Sequence, residues 1–278
     1  MRHSDELCTI TNKSTSMRLF SDQWSALLFH YTLMERSVIF LSSWDDGHPL
    51  DLRIAELLDR HGLSGTFFVP KNNIECRPVM SPSEVRQLAQ GFELGSHTRD
   101  HVRLDYFPAG AALEQVRLGK EWLEDTIGQS VTGFCYPRGI KPLSATGMLK
   151  DMGIRYARTT EHMRMDLGRD LFSLPTTIQV YPHAAKSFIR EVTRRPTISK
   201  FSLLTAPHFL SASLWQRLRT LALLAHQREE ILHIWGHSWE IEQLQMWDAL
   251  EEFLAWIAAL QPRSMTIQQC LLSENRNN

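Results

Sequence analysis

From Ser37 onward, short apolar runs of β type alternate with longer stretches whose apolar positions recur every three or four residues. The first run, 37–43, reads as a strand leading directly into Asp45 and Asp46. The stretch after it puts Ile54, Leu57 and Leu58 on one helical face, with Gly62 where such a helix ends. Further strands are predicted at 64–69, 92–97, 131–136, 154–159, 174–180, 230–236 and near 264–268. A helix is predicted after Ser81 as N-cap with Pro82 in its first turn, and others at 109–127, 143–152, 184–194, 211–228 and 241–260.

This repeated β-then-α order predicts a parallel α/β sheet covered by helices, and so many repeats predict closure into a distorted barrel of seven or eight strands. An open doubly wound sheet is the alternative, but the chain has no glycine-rich phosphate loop to favour it. No internal repeat or linker interrupts residues 34–278, which read as one domain; residues 1–33 precede the first strand as an extension.

A net charge of −1 gives no electrostatic reason to expect nucleic acid or an anionic membrane as partner. Cys8, Cys76, Cys135 and Cys270 lie far apart, which argues against a zinc–cysteine cluster or a disulfide framework. No run of about 18 apolar residues predicts a transmembrane helix. The polar start of the chain lacks a secretory apolar core, so a cytoplasmic protein is expected. The sequence is silent on oligomeric state.

Active groups of a parallel α/β barrel gather where strands end. Three predicted strand ends carry ionisable residues: Asp45 and Asp46 after the first, His97 and His101 after the third, and His237 followed by Trp239 and Glu240 after the strand at 230–236. The i, i+4 spacing of His97 and His101 would set two imidazoles on one side of a helical turn. Two histidines and a carboxylate are the usual donors to a catalytic zinc or similar divalent ion, which polarises carbonyls and acidifies water. An isolated H-x-x-x-H is common and adjacent aspartates often only cap a helix; finding both at strand ends, with a third histidine later, is the specific signal.

These residues resemble the motifs of the polysaccharide deacetylase (NodB-type) family, carbohydrate esterase family four. Its T-F-D-D-G motif is similar to Ser43-Trp44-Asp45-Asp46-Gly47, and its H-S/T-x-x-H motif to His97-Thr98-Arg99-Asp100-His101. Its R-x-P-Y-G-like motif is matched more weakly by Cys135-Tyr136-Pro137-Arg138-Gly139, and its late histidine motif by Leu232 to His237. The resemblance implies a metal-dependent hydrolase that removes N-acetyl groups from an amino sugar in a polysaccharide, oligosaccharide or carrier-linked precursor, with Zn2+ the expected ion. It implies Asp46, His97 and His101 as metal ligands and Asp45 as general base. It further implies the Arg138 backbone N–H as an oxyanion donor and His237 as the acid that protonates the leaving amine. Cys135 stands where the family has an arginine that orients the aspartate, and Arg158 is the candidate to supply that guanidinium from the next strand.

His237 is preferred to His233 as the acid because it lies nearer the loop end; His233 reads as a core histidine, and His48 and His183 as ordinary loop residues. Tyr136, Trp239 and Glu240 are the candidates for contact with substrate, with packing for Trp239 and helix capping for Glu240 as the competing roles. Two other functions fit the same residues: hydrolysis of a cyclic amide or O-acetyl ester, and sugar binding by an inactive barrel.

Overall fold

The computed structural model describes residues 37–206 and 208–274, so the predicted extension at 1–33 lies outside the described residues. Eight strands are present among them: β1 (Ile39–Asp45), β2 (Thr66–Val69), β3 (Glu93–Ser96), β4 (Gly133–Cys135), β5 (Tyr156–Arg158), β6 (Ile178–Gln179), β7 (Ile231–Gly236) and β8 (Arg263–Ser264). Every pairing is parallel, in the order β5-β4-β3-β2-β1-β7-β6, and β8 pairs with the start of β1. The seam between β5 and β6 is irregular. Leu174 bridges to Arg158 on β5, and three residues on the Thr177 N–H donates to the His233 carbonyl of β7 at 2.8 Å. A single extended segment thus crosses the gap, and the curled sheet is the expected α/β barrel in distorted form.

Alternation along the strands divides inside from outside. On β1, Phe40 and Trp44 pack into the main core under the helices, whereas Ile39 and Leu41 turn toward Ile231 and Cys270. Ser43 then meets His233 on the same inner face, and Asp45 comes two residues higher. β7 repeats the pattern: Leu232 and Ile234 join the outer core, while Ile231, His233 and Trp235 face inward. The inner face therefore runs from apolar residues at the strand starts to ionisable ones at the strand ends.

The helices are α1 (Asp51–Arg60), α2 (Pro82–Leu88), α3 (Ala109–Ile127), α4 (Ala145–Asp151), α5 (Ala185–Arg194), α6 (Ile198–Leu204), α7 (Leu214–Arg228), α8 (Ser238–Gln243), α9 (Trp247–Ala259) and α10 (Ile267–Glu274). α2 starts at a capping box in which Ser81 and Glu84 satisfy each other's backbone N–H groups, and α3 ends at Gly128 with φ 68°. The helix predicted at 241–260 is two helices, because the chain turns through Gln245 at φ 51° between them. Sequence periodicity also missed α6 and α10. α10 lies against the strand starts, where its Ile267 and Gln268 N–H groups bond to Thr66 Oγ1 and Glu93 Oε2. Its buried Ile267 and Cys270 seal the end of the barrel opposite the ionisable residues.

Candidate active site

Asp45, the last residue of β1, and Asp46, the first beyond it, diverge because Asp46 takes φ 79°. Gly47 follows at φ 59°, where a Cβ would lie 2.8 Å from a Val69 methyl, so the turn that separates the two carboxylates needs glycine there. Both aspartates are buried.

His97 and His101 meet Asp46, but not from a helical turn as the spacing predicts. Residues 97–103 form a loop in which Thr98 and His101 take φ 66° and 54°. Left-handed geometry at a β-branched residue is strained, and the packing that imposes it is visible. The loop is pressed onto α3 at Gly119, where an added Cβ would lie 2.5 Å from the Thr98 carbonyl carbon. Arg99 N–H donates to the Gln115 carbonyl of that helix, and Thr98 Oγ1 accepts from Val102 N–H.

Asp46 Oδ1 lies 3.0 Å from His101 Nε2 and 3.7 Å from His97 Nε2, yet it is buried and accepts no aligned hydrogen bond. His97 Nδ1 sits 2.8 Å from the Cys135 carbonyl, which can only accept, so Nδ1 carries a proton and Nε2 is the ring atom turned to Asp46. One donor atom from each of Asp46, His97 and His101 lies within 4.8 Å of the others. An orphaned carboxylate oxygen with two imidazole Nε2 atoms brought up to it is a donor set that a divalent cation fits. A second trio, Asp45, His97 and Cys135, is equally close, but the Arg158 guanidinium already holds Asp45 and opposes a cation there.

Burial alone would raise the Asp46 carboxyl; the adjacent His101 and His97 imidazoles outweigh it and hold the group well below the usual range. Asp45 follows the same logic, with burial overcome chiefly by the Arg158 charge. Arg158 is fully buried, and its Nη2 bonds to both Asp45 oxygens while Nη1 donates to the Thr159 carbonyl at 3.1 Å. Cys135 and Arg158 are register partners on β4 and β5, so a side chain from either position enters the same space above Asp45. Burial raises the Cys135 thiol, which donates to Asp45 Oδ2 across 3.7 Å.

His237 caps the start of α8 on the other side of Asp46, with Nε2 4.0 Å from Asp46 Oδ2. Its Nδ1 donates to Glu240 Oε2 at 2.7 Å, and that same oxygen accepts from Gln179 Nε2 at 2.9 Å. Gln179 in turn meets His183. Burial works against a charged His237, but Glu240 and Asp46 more than offset it and its pKa is raised. His233, by contrast, bonds to Ser43 Oγ deep in the barrel and is pushed down to about 3 by burial.

A cavity of about 360 Å³ opens over these groups, lined by Asp45, Asp46, His97, His101, Trp235, His237 and Trp239, with Glu75, Arg77 and Arg138 on one wall and His162 and His183 on another. Burial lowers His183 and brings His162 down to about 4, so that wall is uncharged near neutral pH. Tyr136, expected to touch substrate, is buried beside Phe134 with its hydroxyl on the Phe172 carbonyl, away from the cavity; strand alternation turns it outward from β4. Trp239 lines the cavity, but Arg77 lies 3.5 Å over its ring and its indole N–H donates to Asp46 Oδ2 at 2.9 Å. Glu240 lines the cavity from the first turn of α8, with its Oε2 turned to His237. The Arg138 side chain is exposed and paired with Glu75, at a backbone φ of 60°.

His183, expected from the sequence as an ordinary loop residue, lines the cavity, as do Glu75, Arg77, His162 and Gln179, which the sequence motifs do not mark. Gln179 left a trace in the sequence: Thr177 and Gln179 are polar at alternate positions of a strand otherwise suited to a core. Glu75 and Arg77 left none, because an irregular loop carries no periodicity.

Residues 34–157 match the family model described as polysaccharide deacetylase. No curated protein sequence matches the chain. Among solved structures, a Mycobacterium smegmatis protein assigned to the polysaccharide deacetylases aligns at a TM-score of 0.59 and 16% identity, over 84% of this chain and 89% of its own. Peptidoglycan deacetylase PdaC from Bacillus subtilis aligns at 0.55 and 15% identity, over 87% and 93%. BA3943 from Bacillus anthracis, a carbohydrate esterase family four pseudoenzyme, aligns at 0.53 and 13% identity, over 84% of this chain and 65% of that one. At such identities these structures are a likeness of fold. The family model is matched across the segment that carries both aspartates and both loop histidines, and over that segment the chain resembles the polysaccharide deacetylases.

Proposed function

We propose that the protein is a metal-dependent hydrolase that releases acetate from an N-acetylated amino sugar. The observation that carries this reading is the convergence of His97 Nε2 and His101 Nε2 on a buried, unbonded Asp46 oxygen, with Asp45 and His237 beside it. Asp46, His97 and His101 would hold the ion, zinc being the expected one. When bound it would supply Lewis acidity toward the acetyl carbonyl and toward water.

The protein's own groups divide the remaining work. Asp45, kept ionised by Arg158, accepts the proton of the attacking water. The backbone N–H of Arg138 donates to the oxyanion that develops as water adds. His237, kept protonated by Glu240, gives its Nε2 proton to the departing amine, so amide cleavage yields acetate and a free amino sugar. An amide nitrogen leaves only when protonated, which is why a positioned acid opposite the base matters more here than for an ester. That favours N- over O-deacetylation, and the complete acid–base pair favours an enzyme over an inactive barrel.

Metal content of the purified protein beside a His97→Ala/His101→Ala variant tests the first half, with about one divalent ion per chain expected in the wild type and none in the variant. Acetate release from N-acetylglucosamine derivatives by the zinc-loaded protein tests the second. A wild type that takes up no ion even after soaking in zinc would end this reading.

A further inference from the structure

Of the three side chains that would hold the ion, two are held from behind and one is not. The Cys135 carbonyl lies 2.8 Å from His97 Nδ1, and Asp46 Oδ2 accepts the Trp239 indole N–H at 2.9 Å. His101 presents Nε2 to Asp46 Oδ1 at 3.0 Å, yet its Nδ1 is buried without a hydrogen-bond partner. An imidazole that gives its Nε2 lone pair to a cation carries its proton on Nδ1, and in metal sites that N–H almost always meets a carboxylate, a carbonyl or water.

Glu75 Oε1 lies 3.7 Å from His101 Nδ1. Glu75 sits in an irregular loop, but that loop is registered against the one bearing the histidines. Asn72 N–H donates to the Arg99 carbonyl at 2.8 Å and Ile74 N–H to the Asp100 carbonyl at 3.2 Å, so the next residues along, Glu75 and His101, fall side by side. Asn72 Nδ2 adds a bond to Asp100 Oδ1 at 2.9 Å, and Gln115 Nε2 of α3 holds Asp100 Oδ2 at 2.7 Å. Glu75 N–H donates to Asn73 Oδ1 at 2.8 Å, which fixes the backbone from which the carboxylate reaches. Oε1 already accepts from Arg138 Nη2, but a carboxylate oxygen has two lone pairs and can take a second donor. Closing the gap to a hydrogen bond needs a shift of about 1 Å, which a partly exposed glutamate side chain can make.

We propose that Glu75 is a positioning residue of the metal centre, its carboxylate accepting the His101 Nδ1–H when Nε2 holds the ion. It would do for the second histidine what the Cys135 carbonyl does for the first. This rests on the metal-dependent reading and deepens it by naming the side chain that orients one ligand. Because Glu75 also pairs with Arg138, the same carboxylate ties His101 to the loop after β4.

The test measures zinc affinity at one fixed pH, by competition with a chromophoric chelator, for the wild type, Glu75→Ala, Glu75→Gln and Arg138→Met. The histidine ring N–H signals of each zinc-loaded protein are followed by NMR. Glu75→Ala should weaken zinc binding about tenfold, the lower end of the range for such outer partners because water reaches this carboxylate. Its His101 Nδ1–H signal should broaden or vanish through exchange with water, while the His97 signal stays sharp and shows that the variant is folded. Glu75→Gln keeps an accepting carbonyl and should recover most of the affinity and the signal. Arg138→Met leaves the carboxylate in place and should bind zinc at least as tightly as the wild type. Unchanged affinity and an unchanged His101 signal in Glu75→Ala would overturn the assignment and leave the metal centre standing. Equal losses in Glu75→Ala and Arg138→Met would also overturn it, by showing that Glu75 serves only the ion pair. A wild type that binds no zinc would overturn it together with the metal-dependent reading.

Discussion

Arg158 and Cys135 share one pocket of space above Asp45, and only one of them can fill it with charge. The sequence offers an arginine on β5 where the family pattern puts one on β4, and parallel pairing in register makes the two positions neighbours. Arg158→Met should lower kcat/KM at least 100-fold, the scale of a mispositioned general base. Burial would then act on Asp45 without its counter-charge, so its pKa rises and the acid limb of the pH–rate profile moves to higher pH. Glu240 works on the opposite limb. His237 must be protonated, and its raised pKa keeps it so to higher pH; activity is lost as pH rises through that value. Glu240→Gln removes the negative partner, so the alkaline limb should move to lower pH, with kcat down about tenfold. Both shifts are read from kcat against pH on one soluble acetylated oligosaccharide.

At the scale of elements, the loop bearing His97 and His101 owes its shape to a helix. α3 approaches it so closely that Gly119 leaves no room for a methyl group. Gly119→Ala, which on propensity alone would favour the helix by about 1 kcal/mol, should instead cost about 1–3 kcal/mol as backbone is forced apart. Zinc affinity should fall with it, because the displaced atoms are the Thr98 and Arg99 backbone between the two histidines. Gly110→Ala, on the same helix and facing open space, is the control and should leave both unchanged or slightly improved. Thermal unfolding together with a zinc titration reads both effects. The same packing explains why the spacing of the histidines misled: i, i+4 is met by a strained loop because the helix behind it and the Thr98 hydroxyl fix the turn.

For the whole molecule, the barrel gathers Asp45, Asp46, His97, His101, His237 and Arg158 at one end and seals the other with α10. The buried Asp46 oxygen that accepts no aligned hydrogen bond gains a partner when a cation binds, so metal should be felt in global stability. Adding zinc to 100 times its Kd should stabilise by about 2.7 kcal/mol, and chelation should lower Tm by roughly 5 °C or more, reversed by zinc. A melting curve with and without chelator checks this; an unchanged Tm would mean that the Asp46 site holds no ion.

Taken alone, the order of apolar periodicities determined the parallel α/β class, because period 2 and period 3.6 are written residue by residue. Strand-end placement likewise pointed to Asp45, Asp46, His97, His101 and His237, since side-chain alternation and chain direction are local properties. Tertiary structure decided what depends on neighbours distant in sequence: Arg158 reaching Asp45 across 113 residues, Glu240 and Gln179 converging on His237, and Tyr136 turned away from the cavity. It also decided the walls. Glu75 and Arg77 lie in an irregular loop, whose position is set by what it packs against and leaves no period in the sequence to read.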